Sequence, residues 1–107
     1  MKTAYAEKEP ALGEIEQLAG ATLLEFGTPW CGYCRAAQSL IAGGLAAHPQ
    51  VRHLKVEDGS GRPLGRQFGI KLWPTLVLLK DGKEVARLVR PGSMDAVRQA
   101  LEQIDPA

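Results

Sequence analysis

The chain has 107 residues, 45% of them hydrophobic and 23% charged, with a formal net charge of +1. That size and makeup suit one compact globular domain spanning residues 1–107 with a single core. The near-neutral balance argues against nucleic acid and membrane surfaces as partners, and no apolar run approaches the roughly 18 residues of a membrane-spanning helix.

The opening MKTAYAEKEPALGEIEQ has no apolar stretch after its first lysine, so no secretory leader is expected and the location is read as cytoplasmic. PALGEIEQLA (10–19) predicts a helix, with Pro10 at its first position, Leu12, Ile15 and Leu18 on one face, and Gly20 ending it. ATLLEFG (21–27) is a short apolar strand interrupted only by Glu25, and Gly27-Thr28-Pro29 signals a turn. From Cys31 to about Ala47 the pattern is helical, with Ala37, Leu40, Ile41 and Leu45 sharing a face. Gly43-Gly44 is expected to weaken or bend its last turn, at about 1 kcal/mol per glycine relative to alanine. His48-Pro49 ends it.

VRHLKVE (51–57) predicts a second strand, and DGSGRPLGRQFGI (58–70) a loop with a short helix around Pro63–Phe68. PTLVLLK (74–80) is the most apolar segment and reads as a central strand buried on both faces. Asp81-Gly82 predicts a hairpin turn into KEVARLVR (83–90). Ser93 then caps a last helix carrying Met94, Val97, Leu101 and Ile104 on one stripe. Alternating strands and helices followed by a hairpin give an α/β class, a mixed central sheet with a closing antiparallel hairpin and helices on both faces.

The only two cysteines, Cys31 and Cys34, admit three readings. A purely structural disulfide is disfavoured in a reducing compartment. A zinc site is suggested by the spacing of Cys31, Cys34, His48 and His53, but the cysteines open a helix and Pro49 separates the histidines, so no metal is expected. A redox couple fits the local chemistry. Cys31 sits where a helix begins, and free N–H groups and the helix dipole stabilise a thiolate there. In such a motif the first thiol's pKa falls from about 8.5 to as low as 3.5–7.5, and the second thiol lies one turn away, placed to resolve a mixed disulfide.

The chain resembles the thioredoxin family from about Leu12 to Ile104, through LLEFGTPWCGYC, FGIKLWPTLVLLKDGKEV and the last helix. The resemblance implies the thioredoxin fold and a thiol–disulfide oxidoreductase that reduces or exchanges protein disulfides. It makes Cys31 the exposed nucleophile, Cys34 the buried resolving thiol, and Glu25 the buried acid that exchanges a proton with Cys34. Trp30, Gly32 and Tyr33 would flank the site, and Pro74 would be a cis-proline that leaves the backbone of Trp73 free to pair with a substrate strand. The alternatives for two of these are a core position for Trp30 and a Glu25 that reaches out to the sheet edge. His53 falls where the family often has a lysine near the acid, and is expected to fill space on an exposed strand rather than to pair with Glu25. The implied partners are disulfide-containing proteins and a thioredoxin reductase or small thiol as electron donor, with no bound cofactor and a monomeric chain.

Several residues depart from the family's pattern. Tyr33 replaces a proline and adds a phenol and a backbone N–H near Cys31, which predicts a couple somewhat less reducing than usual. Gly27 replaces a tryptophan and Ser39 a helix-kinking proline. Trp73 is bulkier than the usual residue and should narrow or flatten the substrate groove. Arg90 or Pro91 stands where a small residue is common, and Arg35, Arg62, Arg66 and Lys71 are read first as an ordinary solvated face rather than a rim for acidic partners. Two rival functions remain at this point: a non-catalytic adaptor using the Trp30, Trp73 and Pro74 surface, and an extracytoplasmic disulfide isomerase or oxidase.

Overall fold

A computed structural model describes residues 3–106. The elements run α1 (Leu12–Glu16), β1 (Ala21–Gly27), α2 (Gly32–Ala46), β2 (Arg52–Glu57), α3 (Pro63–Gln67), β3 (Thr75–Lys80), β4 (Lys83–Val89) and α4 (Met94–Glu102). This is the expected order. The strands form one sheet in the order β2-β1-β3-β4, with β1 and β2 parallel and the other two pairs antiparallel. A parallel pair requires a crossover, and α2 supplies it.

The side-chain alternation of β1 divides the core. Leu23 packs with Ile41, Leu76, Leu78, Val97 and Leu101 on the α2/α4 face. Leu24 and Phe26 pack with Ile15, Val56, Leu64, Val77 and Leu79 on the α1/α3 face. β3 is buried from Thr75 to Leu79, as a strand covered on both faces must be. By the same period of two, Glu25 shares the α2 face with Leu23, which sets up the site.

α1 is shorter than the periodicity suggests. It begins after Ala11 instead of at Pro10, with the Glu14 side chain accepting the Ala11 N–H at 3.0 Å, and it ends at Glu16. Asp81 and Gly82 both have positive φ, 51° and 79°, the geometry a two-residue hairpin between twisted strands needs. Asp81 also ties this turn to the end of α1: its Oδ1 accepts the Gly20 N–H at 2.8 Å.

The Gly43-Gly44 pair does not end α2, which runs through both residues to Ala46. Its reason is packing against α4. A Cβ on Gly44 would lie 2.5 Å from Cγ1 of Val97, and one on Gly43 would overlap the Met94 side chain. Ser93 caps α4 as expected, accepting the Ala96 N–H at 3.0 Å. In the N-terminal stretch, unassigned in the sequence, Tyr5 and Ala6 lie beside β2. Tyr5 forms a parallel bridge with Lys55, and the Ala6 N–H reaches the Lys55 carbonyl at 2.9 Å.

Candidate active site

Cys31 is the N-cap of α2, in extended conformation, and Cys34 lies one turn inside. The Cys34 N–H donates to Cys31 Sγ at 3.3 Å, so the sulfur occupies the place of a capping oxygen. Both thiols are free, and they differ in exposure, 7% for Cys31 and 1% for Cys34. Cys31 is therefore less exposed than the resemblance implied.

The two thiols are held apart in acidity. Burial works against a thiolate at Cys31. It is more than offset by hydrogen bonds from the Cys34 thiol and from the backbone N–H groups of Cys34 and Tyr33, and by the charge of Arg90, so its pKa lies below that of a free thiol. Burial pushes Cys34 up to about 12, helped by its bond to Cys31 and by the negative charges of Cys31 and Glu25. Cys31 is therefore the thiol that ionises first, and Cys34 the one that keeps its proton to higher pH.

Under Cys34 lies a connected polar group. Glu25 is fully buried, which removes the alternative of a carboxylate reaching the sheet edge. Its Oε1 stands 2.8 Å from His53 Nε2, and its Oε2 accepts from Gln38 Nε2 at 2.9 Å. The same Gln38 nitrogen donates to the Cys34 carbonyl at 2.8 Å, and Gln38 Oε1 accepts from Lys55 Nζ at 3.0 Å. The expected exposed, space-filling role of His53 is thereby corrected. In the parallel β1–β2 register Leu23 pairs with His53 and Glu25 with Lys55, so the alternation of β2 turns both His53 and Lys55 to the α2 face.

Sequence reasoning missed Tyr5, Gln38 and Lys55. Gln38 carried a usable signal, standing four residues after Cys34 on a helix whose apolar face packs on β1. Tyr5 carried none, since it lies in a polar stretch without periodicity. Its ring lies under Lys55 Nζ at 4.2 Å from the centroid, and with Cys34, Gln38 and Lys55 it lines a cavity of about 340 Å³. Burial, with nearby Cys34 and Glu25, raises the Tyr5 pKa well above the ordinary phenol value, so its hydroxyl keeps its proton. Gly27 is needed where these parts converge: a Cβ there would lie 2.6 Å from Cys34 Sγ and 3.2 Å from the Tyr5 hydroxyl.

The outer rim is aromatic. Trp30 is 70% exposed, so it is not a core residue, and Tyr33 is 61% exposed. Trp30 meets Trp73 edge to face with centroids 5.5 Å apart, and Trp73 Nε1 donates to Asp58 Oδ2 at 2.8 Å. The Trp73–Pro74 bond is cis, and Pro74 is buried immediately before β3. The Trp73 carbonyl is not free, contrary to expectation: Arg90 Nε donates to it at 2.8 Å. The Arg90 guanidinium also stacks over Tyr33, 3.8 Å from the ring centroid. Gly32 lies between the two thiols with open space where a side chain would be.

The cysteine–histidine spacing does not assemble a metal site. His53 is engaged with Glu25, while His48 Nδ1 stands 2.9 Å from Asp105 Oδ2. Among the described residues no group of three or more His, Cys, Asp or Glu side chains is placed to hold a metal ion, and no helix is long and apolar enough to cross a membrane.

The family model described as Thioredoxin matches residues 5–103. The chain belongs to the thioredoxin family. Thioredoxin 2 from Pseudomonas aeruginosa PAO1, solved in its reduced form, is 58% identical, with a TM-score of 0.87 over 97% of this chain and 96% of that one. Thioredoxin from Chlamydia muridarum is 43% identical over 86 residues, 79% of this chain and 83% of its own. A tobacco (Nicotiana tabacum) H-type thioredoxin is 29% identical over 85 residues, 79% of this chain and 68% of its own. The fold is the thioredoxin fold and the activity that of a thiol–disulfide oxidoreductase, for which the adjacent Cys31 and Cys34 fit a dithiol couple.

Proposed function

We propose that the chain is a single-domain, monomeric reductase of protein disulfides. Cys31 acts as nucleophile, Cys34 as resolving thiol and Glu25 as the acid–base group beneath it. The observation that carries this reading is the cap geometry of Cys31, whose sulfur accepts the Cys34 N–H at 3.3 Å while the two thiols are pushed in opposite directions.

The Cys31 thiolate attacks one sulfur of a substrate disulfide. A mixed disulfide forms, and the other substrate sulfur leaves as a thiolate and takes up a proton. Cys34 then gives up its proton toward Glu25, through the polar group that Gln38, His53 and Lys55 complete, and attacks Cys31 Sγ. The second substrate thiol is released and Cys31–Cys34 becomes the disulfide. Two electrons and two protons have passed to the substrate. A thioredoxin reductase or a small thiol returns them, which suits a reducing, cytoplasmic setting and a role in electron transport and cell redox homeostasis. Trp30, Gly32, Tyr33, Trp73 and Pro74 form the surface on which the substrate strand lies. No bound cofactor enters any step.

The adaptor and isomerase readings gain nothing from the geometry: an adaptor has no use for two thiols of opposed acidity over a buried acid. The test is insulin-disulfide reduction, coupled first to thioredoxin reductase and then to glutathione, with Cys31→Ser and Cys34→Ser as controls. The wild type should turn over with at least one donor, Cys31→Ser should be inactive, and Cys34→Ser should stall as a mixed disulfide. Turnover by Cys31→Ser, or none by the wild type with either donor, refutes the proposal.

A further inference from the structure

Arg90, whose charge favours the Cys31 thiolate, is held on the rim by contacts that this long-range effect does not need. It follows β4 with a φ of 48°, in the left-handed region, and its N–H donates to the Pro74 carbonyl at 2.9 Å. A non-glycine residue is uncommon there, and here the backbone turn carries the side chain back across the site. Nε is then fixed on the Trp73 carbonyl at 2.8 Å, and the face of the guanidinium lies on Tyr33, 3.8 Å from the centroid.

These two contacts consume one donor and one face. The Nη groups donate to no acceptor among the described residues, and no carboxylate among them forms an ion pair with Arg90. The contrast with its neighbours is sharp. Arg87 is paired in two bonds with Glu84, Arg62 reaches Glu57 at 4.0 Å, and Asp58 is engaged by the Trp73 indole. A planar fork with its rotamer fixed, its end-on donors free and no carboxylate paired to it among the described residues is a preformed receptor for a carboxylate. It lies between Tyr33, one residue before Cys34, and Trp73, beside the strand edge where the substrate reading places the incoming chain.

We propose that Arg90 is a specificity-determining residue that selects substrates carrying an acidic side chain next to the disulfide under attack. The inference rests on the reductase reading and names its substrate class. In the free protein Arg90 closes off the Trp73 carbonyl. An incoming strand displaces Nε from that carbonyl, and a carboxylate beside the substrate cysteine takes over the guanidinium.

The test uses the intact protein and a matched pair of peptides with one internal disulfide, identical except for glutamate or lysine beside the attacked cysteine. Insulin is a common control. The wild type should reduce the glutamate peptide with a kcat/KM about fivefold above the lysine peptide, the size expected of a partly exposed charge contact. Arg90→Gln, which carries the same backbone cost, should bring the ratio to about one, whatever loss of a charge near Cys31 does to both rates in common. Arg90→Glu should invert it, and Arg90→Lys should restore part of it. A merely structural role for Arg90 would change both peptides together and leave their ratio intact. A wild-type ratio near one, or a preference that survives Arg90→Gln, overturns the inference alone. Failure of the wild type to reduce either peptide or insulin overturns the reductase reading beneath it.

Discussion

His53 Nε2 stands 2.8 Å from Glu25 Oε1 across the parallel β1–β2 pair, at a carboxylate with no exposure to solvent. A buried carboxylate is tolerated only when its lone pairs are satisfied, and here His53 and Gln38 satisfy one oxygen each. Replacing His53 with leucine leaves Oε1 unpartnered and should cost about 1–3 kcal/mol at neutral pH. Replacing Glu25 with leucine leaves His53 without its partner but also removes the desolvated carboxylate, so it should cost less than His53→Leu, while slowing the step in which Cys34 loses its proton. Urea unfolding and single-turnover insulin reduction separate the two effects. A Glu25→Leu variant less stable than His53→Leu would contradict this account.

The opposed acidities of the thiols give a pH signature. Iodoacetamide consumes thiolates, so its rate follows the ionised fraction of each sulfur. As pH falls through the lowered pKa of Cys31 that thiolate is protonated and the rate drops, whereas Cys34 stays unreactive until pH approaches about 12. At about pH 8 one equivalent should be incorporated, all of it on Cys31. Cys34→Ala removes a donor that stabilises the Cys31 thiolate; losing it favours the thiol, so the midpoint of the Cys31 profile must move up. A midpoint that falls or stays fixed would show that the Cys34 thiol is not what lowers it.

Gly44 sets two known effects against each other. Alanine in a helix interior gains about 1 kcal/mol over glycine, but its Cβ would lie 2.5 Å from Cγ1 of Val97, which is fully buried. Overpacking of this kind costs about 1–3 kcal/mol, so Gly44→Ala should be destabilising on balance. Adding Val97→Ala should recover part of the loss, beyond the sum of the single changes. Additive thermal-denaturation values for the pair would show that the α2–α4 contact is not the cause.

The strands, the hairpin at Asp81-Gly82, the Ser93 cap and the Cys31 position were legible because each rests on local pattern: a period of two, paired turn residues, a capping side chain. What was not legible depends on register between distant segments. The position of His53 is decided by which β1 residue it faces, and nothing within 51–57 states that. Gln38 and Lys55 become functional candidates only when α2 and β2 meet over Glu25, and Tyr5 only when an aperiodic N-terminal stretch is laid beside β2. The glycine pair in α2 illustrates the same limit: propensity reads it as a weak turn, whereas its cause, α4, lies fifty residues on in the chain.

Tyr33 is where the sequence departs most visibly from its family's tetrad, and its effect on the couple has a definite sign. Its backbone N–H is one of the donors that lower the Cys31 pKa, and its ring is the surface on which Arg90, another contributor, is stacked. Proline at this position keeps helical geometry in the first turn but removes the N–H and the ring together. The thiolate of the reduced form is then less stabilised, oxidation becomes easier, and the couple becomes more reducing. A hydrogen bond to a charged group contributes about 1.5–3 kcal/mol, which for a two-electron couple corresponds to a shift of roughly 30–60 mV to more negative potential in Tyr33→Pro. Equilibration against glutathione reads it directly. Tyr33→Phe, which keeps the N–H and the stacking ring, should stay near the wild-type value. A Tyr33→Pro potential equal to or above wild type would mean that the tyrosine does not set the potential, and would leave its contact with Arg90 as its remaining role.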